Sequence, residues 1–217
     1  QTIPIGHLYS VRHLDANTLI FGGDGTTSTG KASRWAFQTT LTGTVKTSSI
    51  NASPTGDSFR GLIVPKADKK EVVGVSTPIS KSNTSGALLK LSSSKGTVSL
   101  TKSYVVDENG SLNAIDERVQ GQRWVLAGTK AKISTKGWLA VVDNNGKEKH
   151  SKTLGDGTGL NTCKVLGGKD IVAGGYKMVK GEFNALAVGY DEKLKYRWEV
   201  SPSTSKRSII FGSAKSM

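Results

Sequence analysis

Residues 171–190 read IVAGGYKMVKGEFNALAVGY, and this stretch gives the strongest indication of the fold class. A short apolar run ends in glycine, a polar loop comes next, and a second apolar run leads into a turn that begins at Asp191. Short apolar runs bounded by glycine and polar turn residues are typical of β-strands. The stretch shows no sustained 3.6-residue spacing, so it predicts two neighbouring strands and not a helix.

The same order of parts occurs four times along the chain. The glycine-ended runs are 19–22, 72–74, 125–128 and 171–174, and the second apolar runs are 35–37, 87–91, 138–142 and 186–190. A turn and a further short strand come after each second run, and another strand candidate precedes each glycine-ended run. The repeated unit therefore contains four strands.

Four antiparallel strands in about 40 to 50 residues are the content of one β-propeller blade. We therefore predict an all-β fold, a single β-propeller-like domain over residues 1–217 with repeats at 1–53, 54–106, 107–154 and 155–203. The alternatives are an open propeller arc and a β-trefoil-like fold, although a trefoil needs three units and the sequence offers four.

The C-terminal residues 204–217 resemble the opening of the second repeat at 57–64. They predict an extra C-terminal strand, which either closes the ring against the amino-terminal blade or opens a fifth blade that these residues do not complete. Because exposed blade edges favour pairing, an oligomer formed through this strand is a further expectation.

The apolar-apolar-Ala-Gly run, the polar loop, the Ala-Leu-Val run, the Asp turn and the final Trp together resemble a known repeat. It is the repeat of bacterial exported β-propeller proteins, the SBBP-like surface repeats. Residues 166–200 match this pattern best and residues 122–155 nearly as well, whereas the first two repeats lack the Trp and have Thr42 and Ser93 at the turn. The resemblance implies a propeller with a binding or scaffold role and brings no catalytic residues with it.

The charge predicts the kind of surface that this protein meets. A net charge of +13 and a pI of about 9.8 attract polyanions such as anionic polysaccharides or lipid surfaces. Lys outnumbers Arg by 23 to 7, whereas dedicated base readers favour the bidentate Arg fork. We therefore expect protein subunits or anionic polymers and surfaces as partners, and no sequence-specific nucleic acid.

The cellular location is indicated by weaker signals. The one cysteine, Cys163, cannot form an intrachain disulfide, and no apolar run approaches the length of a membrane span. The chain starts at Gln1, which fits a mature protein whose signal peptide has been removed. The Gly, Ser, Thr and Asn content of the turns is common in exported proteins, so we expect a secreted or cell-surface protein.

Two groups of residues are candidate binding positions. The first is aromatic, and its members are Trp198, Tyr196 and Arg197. The second is the lysine-rich hairpin tip, with Lys66, Lys69 and Lys70. No metal site is predicted beyond a weak calcium candidate at Asp143, because calcium needs several oxygen ligands and the neighbouring residues supply no second carboxylate.

No catalytic or cofactor motif occurs, so we expect a non-catalytic protein without a cofactor. A new site built from Asp116, Glu117 or Glu182 is the remaining enzymatic alternative, as a hydrolase or lyase at the channel mouth. The expected function is an extracellular or cell-surface scaffold or adhesion module. A carbohydrate-binding, lectin-like propeller is the alternative, since exposed aromatic rings can stack on sugars.

Overall fold

A computed structural model of the chain describes residues 6–26, 32–51, 57–66, 70–78, 85–94, 97–107, 110–119, 123–131, 134–202 and 209–210. In these ranges the chain forms sixteen strands and no helix, so no helix there could cross a membrane. The strands make four sheets of four. The first two sheets contain β1 (Gly6–His13), β2 (Thr18–Thr26), β3 (Ala32–Thr40), β4 (Val45–Asn51), β5 (Asp57–Ile63), β6 (Glu71–Pro78), β7 (Gly86–Ser94) and β8 (Thr97–Asp107). The last two contain β9 (Gly110–Val119), β10 (Arg123–Ala131), β11 (Thr135–Asp143), β12 (Glu148–Asp156), β13 (Thr158–Leu166), β14 (Asp170–Val179), β15 (Glu182–Tyr190) and β16 (Tyr196–Val200).

Each sheet is an antiparallel meander in which consecutive strands pair, as a propeller blade requires. The protein is therefore all-β and of the β-propeller class, with four blades that coincide with the four predicted repeats. We number the blades 1 to 4 in chain order. The predicted extra C-terminal strand falls largely outside the described residues, of which 209–210 are the last.

In blades 1, 2 and 4 the first strand carries a bulge. The extra residues of the bulges are Tyr9 in β1, Arg60 in β5 and Asn161 in β13. Glycines of the second strand lie opposite: a Cβ atom on Gly23 would collide with the carbonyl oxygen of His7, and one on Gly175 with that of residue 159. Gly23 and Gly175, which directly follow the recurring glycine in blades 1 and 4, are thus required because the backbones there approach too closely for any side chain.

The turn between the third and fourth strands is held by a side-chain oxygen in blades 1, 3 and 4. Asp191 Oδ1 accepts hydrogen bonds from the backbone N–H groups of Lys193 and Lys195. Asp143 Oδ1 accepts the equivalent bonds from the N–H groups of Asn145 and Lys147. In blade 1 the hydroxyl of Thr40 accepts the N–H of Thr44. The turn residue of blade 1 is therefore Thr40, and not Thr42 as the sequence pattern indicated.

The chain divides into two compact units, residues 1–111 and residues 112–217. In the first unit, Leu62 of blade 2 packs over Gly22 of blade 1, and its backbone N–H donates to Ser10 Oγ at 3.1 Å. A buried apolar cluster joins these two blades, with Ile20 and Ala36 from one side and Phe59 and Leu62 from the other.

The second unit contains blades 3 and 4, whose facing sides form another apolar core. Blade 3 contributes Val125, Ala127, Leu139 and Val141, and blade 4 contributes Leu160, Cys163, Val165, Ile171, Ala173, Leu186, Val188 and Tyr190. Cys163 is buried there and its Sγ lies 3.5 Å from the carbonyl oxygen of Val125. The core therefore lies between the blades, because a single sheet cannot bury both of its faces alone.

Candidate functional site

Strand register shows which side chains of blade 4 point away from blade 3. Side chains of directly paired residues lie on the same face of a sheet, and successive residues alternate between the faces. One row of paired residues crosses Gly174, Ala187 and Val200, and a second crosses Val172, Gly189 and Trp198. None of these residues belongs to the core that joins blade 4 to blade 3. We call this side of the sheet the blade-4 face; its described members are Gly159, Thr162, Lys164, Val172, Gly174, Tyr176, Met178, Phe183, Ala185, Ala187, Gly189, Trp198 and Val200.

Trp198 lies flat against the blade-4 face because its partner is a glycine. A Cβ atom on Gly189 would overlap the Trp198 indole ring, so the missing side chain makes room for the ring. The indole is nevertheless 41% exposed, and Val200 beside it is 55% exposed. The other three tryptophans, Trp35, Trp124 and Trp138, are buried.

The three aromatic-group candidates from the sequence do not share one surface. The β15–β16 register shifts between Gly189 and Tyr190, which leaves Arg197 as the extra residue of a bulge. Tyr196 consequently pairs with Tyr190 on the side that faces blade 3, and the two rings meet edge to face with centroids 6.1 Å apart. The bulge therefore separates Tyr196 from Trp198, although strict alternation would place them on the same face.

The two charged residues of β16, Arg197 and Glu199, are paired. Arg197 Nη2 lies 3.3 Å from Asp170 Oδ1, and Lys177 Nζ lies 2.9 Å from Glu199 Oε1. Burial raises the pKa of the Tyr190 phenol, and the Glu199 carboxylate and Tyr196 raise it further. Tyr190 therefore stays protonated at neutral pH, and β16 presents an apolar surface bordered by ion pairs.

The outer edges of blades 3 and 4 differ in chemistry. β12 is the edge strand of blade 3 and carries Lys149, His150 and Lys152, which discourage pairing with another strand. β16 is the edge strand of blade 4, and its exposed side chains include an indole and a valine in place of lysines. Of these two edges, β16 is the one suited to contact with another protein. We call Trp198, Val200 and the outer edge of β16 the outer site.

The inner part of the blade-4 face holds two residues from near the end of the chain. Ile210 donates its backbone N–H to the carbonyl oxygen of Gly175 at 3.1 Å, and Asn161 Nδ2 donates to the carbonyl oxygen of Ile210 at 3.2 Å. A Cβ atom on Gly174 would lie 2.9 Å from Ile210 Cγ2. We call Asn161, Gly174 and Gly175 the inner seat. The resemblance of residues 204–217 to a blade opening was a sequence signal for the strand, but nothing in the sequence indicated Asn161.

The lysine candidates lie in the first unit. Lys66 and Lys70 are exposed, whereas Lys69 lies outside the described residues. Lys66 lines an open groove of about 380 Å³ together with the β1–β2 turn and the end of β5, namely His13, Leu14, Asp15, Ala16, Val64 and Pro65. The groove combines the polar side chains of His13, Asp15 and Lys66 with apolar neighbours, and it is a second, weaker candidate for ligand binding.

The calcium candidate Asp143 already has donors on both carboxylate oxygens. Oδ1 accepts the N–H groups of Asn145 and Lys147, and Oδ2 lies 3.2 Å from Lys149 Nζ. Partial burial acts to raise the pKa of Asp143, but these hydrogen bonds outweigh it and the pKa lies below its ordinary value. No group of three His, Cys, Asp or Glu side chains that could hold a metal occurs in the part of the chain that the structure describes. Asp143 therefore stabilises its turn.

The candidate catalytic acids occupy separate environments. Asp116 is 7% exposed, and its oxygens accept the Val165 N–H at 2.7 Å and the Lys164 ammonium at 3.0 Å. Glu117 is the next residue of β9 and so points to the opposite face of its sheet, while Glu182 is exposed at the start of β15. The bonds of Asp116 fasten β9 of blade 3 to β13 of blade 4. Asp116 is thus a structural clamp, a role that the sequence did not indicate.

Comparison with known proteins supports the fold. No protein-family model matches the chain, and no curated protein matches it in sequence. Among solved structures, the acylaminoacyl peptidase of Pyrococcus horikoshii is similar over 91% of this chain and 32% of its own, with a TM-score of 0.53 and 9% identity. The β-propeller domain of the Trilobed protease from Pyrococcus furiosus is similar over 92% of this chain and 57% of its own, with a TM-score of 0.49 and 8% identity. The chain thus spans less than two thirds of either structure, and likeness at this identity concerns the fold alone.

Proposed function

We propose that this protein is a non-catalytic interaction module that binds a protein partner at the outer site of blade 4. The observation that carries the proposal is the exposed indole of Trp198, seated on Gly189 beside Val200 at a strand edge that lacks lysines. Interface hot spots are enriched in Trp, and free strand edges bind extended peptides by strand addition.

The cellular location and the family that the sequence suggests both fit this proposal. A secreted or cell-surface scaffold of the SBBP-like repeat type would use its blades to present such an edge. The positive net charge would add long-range attraction to acidic partners or anionic surfaces and increase association rates. Among the described residues of β16, Glu199 is the single acid and is paired with Lys177, which favours binding over a hydrolase or lyase reaction.

Selection from a displayed library of random peptides against the full chain tests the proposal. Peptides that bind the outer site should lose roughly 30-fold or more in affinity for Trp198→Ala, as expected for a hot-spot residue worth at least about 2 kcal/mol. His150→Ala, an exposed change on the edge strand β12 of blade 3, is the matched control and should leave affinity unchanged. Selected peptides whose affinity is unchanged by Trp198→Ala would show that the outer site is not the interaction surface.

Two further experiments separate protein binding from carbohydrate binding and from nonspecific attraction to anions. A glycan array that shows sharp sugar selectivity, retained at high salt and lost in Trp198→Ala, would replace the protein-binding proposal with a lectin-like one. Binding to heparin that weakens steeply with salt and is unaffected by Trp198→Ala reports only the basic surface. That last result, without any Trp198-dependent peptide, would also contradict the proposal.

A further inference from the structure

The first strands of blades 2 and 4 carry buried apolar residues at matching positions around their bulges. In blade 2, Phe59 directly precedes the bulged residue and Leu62 lies two residues after it, and in blade 4 the same positions hold Leu160 and Cys163. These four side chains are at most 5% exposed. Each belongs to the apolar core that its blade shares with the preceding blade. Residues at these two positions therefore join a blade to the one before it.

Blade 1 has apolar residues at the same two positions of its first strand, but their side chains are exposed. Leu8 directly precedes the bulged residue of β1 and Val11 lies two residues after it, and they are 52% and 45% exposed. Direct pairing places them on the same side of the sheet as Gly23 and Phe21. This side points away from blade 2, because Ile20 alternates with these residues and packs against blade 2. β1 thus leaves in water the pair of residues that blades 2 and 4 bury against another blade.

The side of blade 1 that carries Leu8 and Val11 has no Lys, Arg, Asp or Glu in β1, β2 and β3. We call it the blade-1 face; its apolar members in these strands are Leu8, Val11, Leu19, Phe21, Trp35 and Phe37. The other positions of this side in the three strands hold a histidine, a serine, a threonine and three glycines. The charged residues of the same strands are Arg12, Asp24 and Arg34, and all of them lie on the side toward blade 2. A repeat whose outer side stays in water normally carries polar residues there, so the uncharged blade-1 face is suited to burial.

Stacked aromatic rings give the blade-1 face a defined shape. The rings of Phe21 and Phe37 are nearly parallel with centroids 4.9 Å apart, and the Trp35 ring lies 4.7 Å from that of Phe37. Trp35 and Phe37 are buried, whereas Phe21 is half-buried beside the exposed residues of β1. The accessible part of the face therefore runs along β1 and the adjoining side of β2.

From the exposed pair in β1 and the absence of charge around it, we infer that the blade-1 face is a self-association surface, on which blade 1 of a second copy packs in a two-fold dimer. Inside the chain, the element that covers this pair of positions is a four-stranded blade, and a second copy supplies such a blade. Two copies that each carry a net charge of +13 repel each other, and they can meet most closely where both surfaces lack charged groups. Two-fold dimers, in which the same patch of both copies meets, are the commonest closed assemblies. The inference goes beyond the proposed function, because it concerns blade 1 and not the outer site.

Sedimentation velocity of the full chain tests the inference. The chain should reach the mass of a dimer at concentrations up to about 0.1 mM, where a dimer with a dissociation constant of about 1 μM is almost fully formed. Leu8→Lys and Val11→Lys should each raise the dissociation constant at least about tenfold, because a lysine buried there loses its hydration in both copies. Val105→Lys is the matched control: Val105 is 62% exposed on the edge strand β8 of blade 2, and the same substitution there should leave the dimer intact.

Hydroxyl-radical footprinting of the unmodified chain needs no substitution, so it gives a result even if a lysine variant fails to fold. Leu8 and Val11 should be oxidised in dilute solution and protected at the concentration where the dimer forms. A monomer at every concentration, species that grow beyond a dimer, or a dimer that leaves Leu8 and Val11 unprotected would each overturn the inference. So would a dimer that dissociates on Trp198→Ala, because that result would place the contact at the outer site. A monomeric chain would leave the proposed function standing, since that proposal does not involve blade 1.

Discussion

Blade 3 and blade 4 each present one face toward the next part of the chain, but only the face of blade 3 is covered by a complete blade in the described residues. On blade 3 the paired positions Val125–Val141 and Ala127–Leu139 are fully buried under blade 4. On blade 4 the corresponding pairs are Val172–Gly189 and Gly174–Ala187, so valine is kept at one position and the side chains at the other three are smaller. The same strand register thus supports two surfaces, one filled by a neighbouring blade and one left for Ile210 and Trp198.

The small residues of blade 4 allow its face to be partly open. If the face were lined with leucine and valine and exposed to water, the protein would lack about 1.5–3 kcal/mol of stabilisation for each large side chain that is not buried. Ala187 and Gly189 avoid this cost, and Trp198 lies over Gly189 as a partial cover. The exposed indole is therefore the part of the face that a partner would gain most by covering.

The two faces should differ most in the stability that is lost when an apolar side chain is shortened. Leu139→Ala should lower the free energy of unfolding by about 2–5 kcal/mol, because it leaves a cavity between blades 3 and 4. Val200→Ala on the exposed part of blade 4 should change it by less than about 0.5 kcal/mol. Urea denaturation of both variants measures this difference. Equal losses would mean that the blade-4 face is covered as completely as that of blade 3.

The two faces should differ less in the stability that is lost when a side-chain hydrogen bond on each face is removed. Asp116→Ala leaves the buried Val165 N–H without its acceptor and Lys164 without its carboxylate, which should cost about 1.5–3 kcal/mol. Asn161→Ala removes a bond to a residue near the end of the chain, so the free energy of unfolding should fall by no more than about 1 kcal/mol. The same denaturation experiment compares the two. If Asn161→Ala destabilised the chain as much as Asp116→Ala, Asn161 would belong to the core packing of the unit.

The four-stranded repeats can be predicted from the sequence because their signals are local. Glycine-ended apolar runs and Asp turns indicate strands and hairpins without knowledge of distant contacts, and the structure confirms the four strands in every blade. The sequence pattern places the turn of blade 1 two residues late, at Thr42, because the Thr40 hydroxyl replaces the expected carboxylate. A hydroxyl is a weaker turn signal than Asp, so the pattern does not identify it.

The candidate site can be predicted only in part, because its geometry depends on irregularities and distant partners. The sequence indicates Trp198 as an exposed aromatic residue, but the bulge at Arg197 places Tyr196 on the opposite face. Asp116 and Asn161 act on partners 48 or 49 residues away, and no short-range pattern reveals such contacts. The single-domain prediction remains a prediction, since the contacts divide the chain between residues 111 and 112 into two compact units.

Hydroxyl-radical footprinting of the full chain, read residue by residue by mass spectrometry, measures whether the blade-4 face is accessible. Trp198 and Met178 are 41% and 44% exposed, whereas Trp124 and Trp138 are 0% and 1% exposed. We expect rapid oxidation of Trp198 and Met178 and none of Trp124 and Trp138 on the same timescale. Protection of Trp198 equal to that of Trp138 in the free chain would show that the face is already covered, and it would contradict an open binding surface on blade 4.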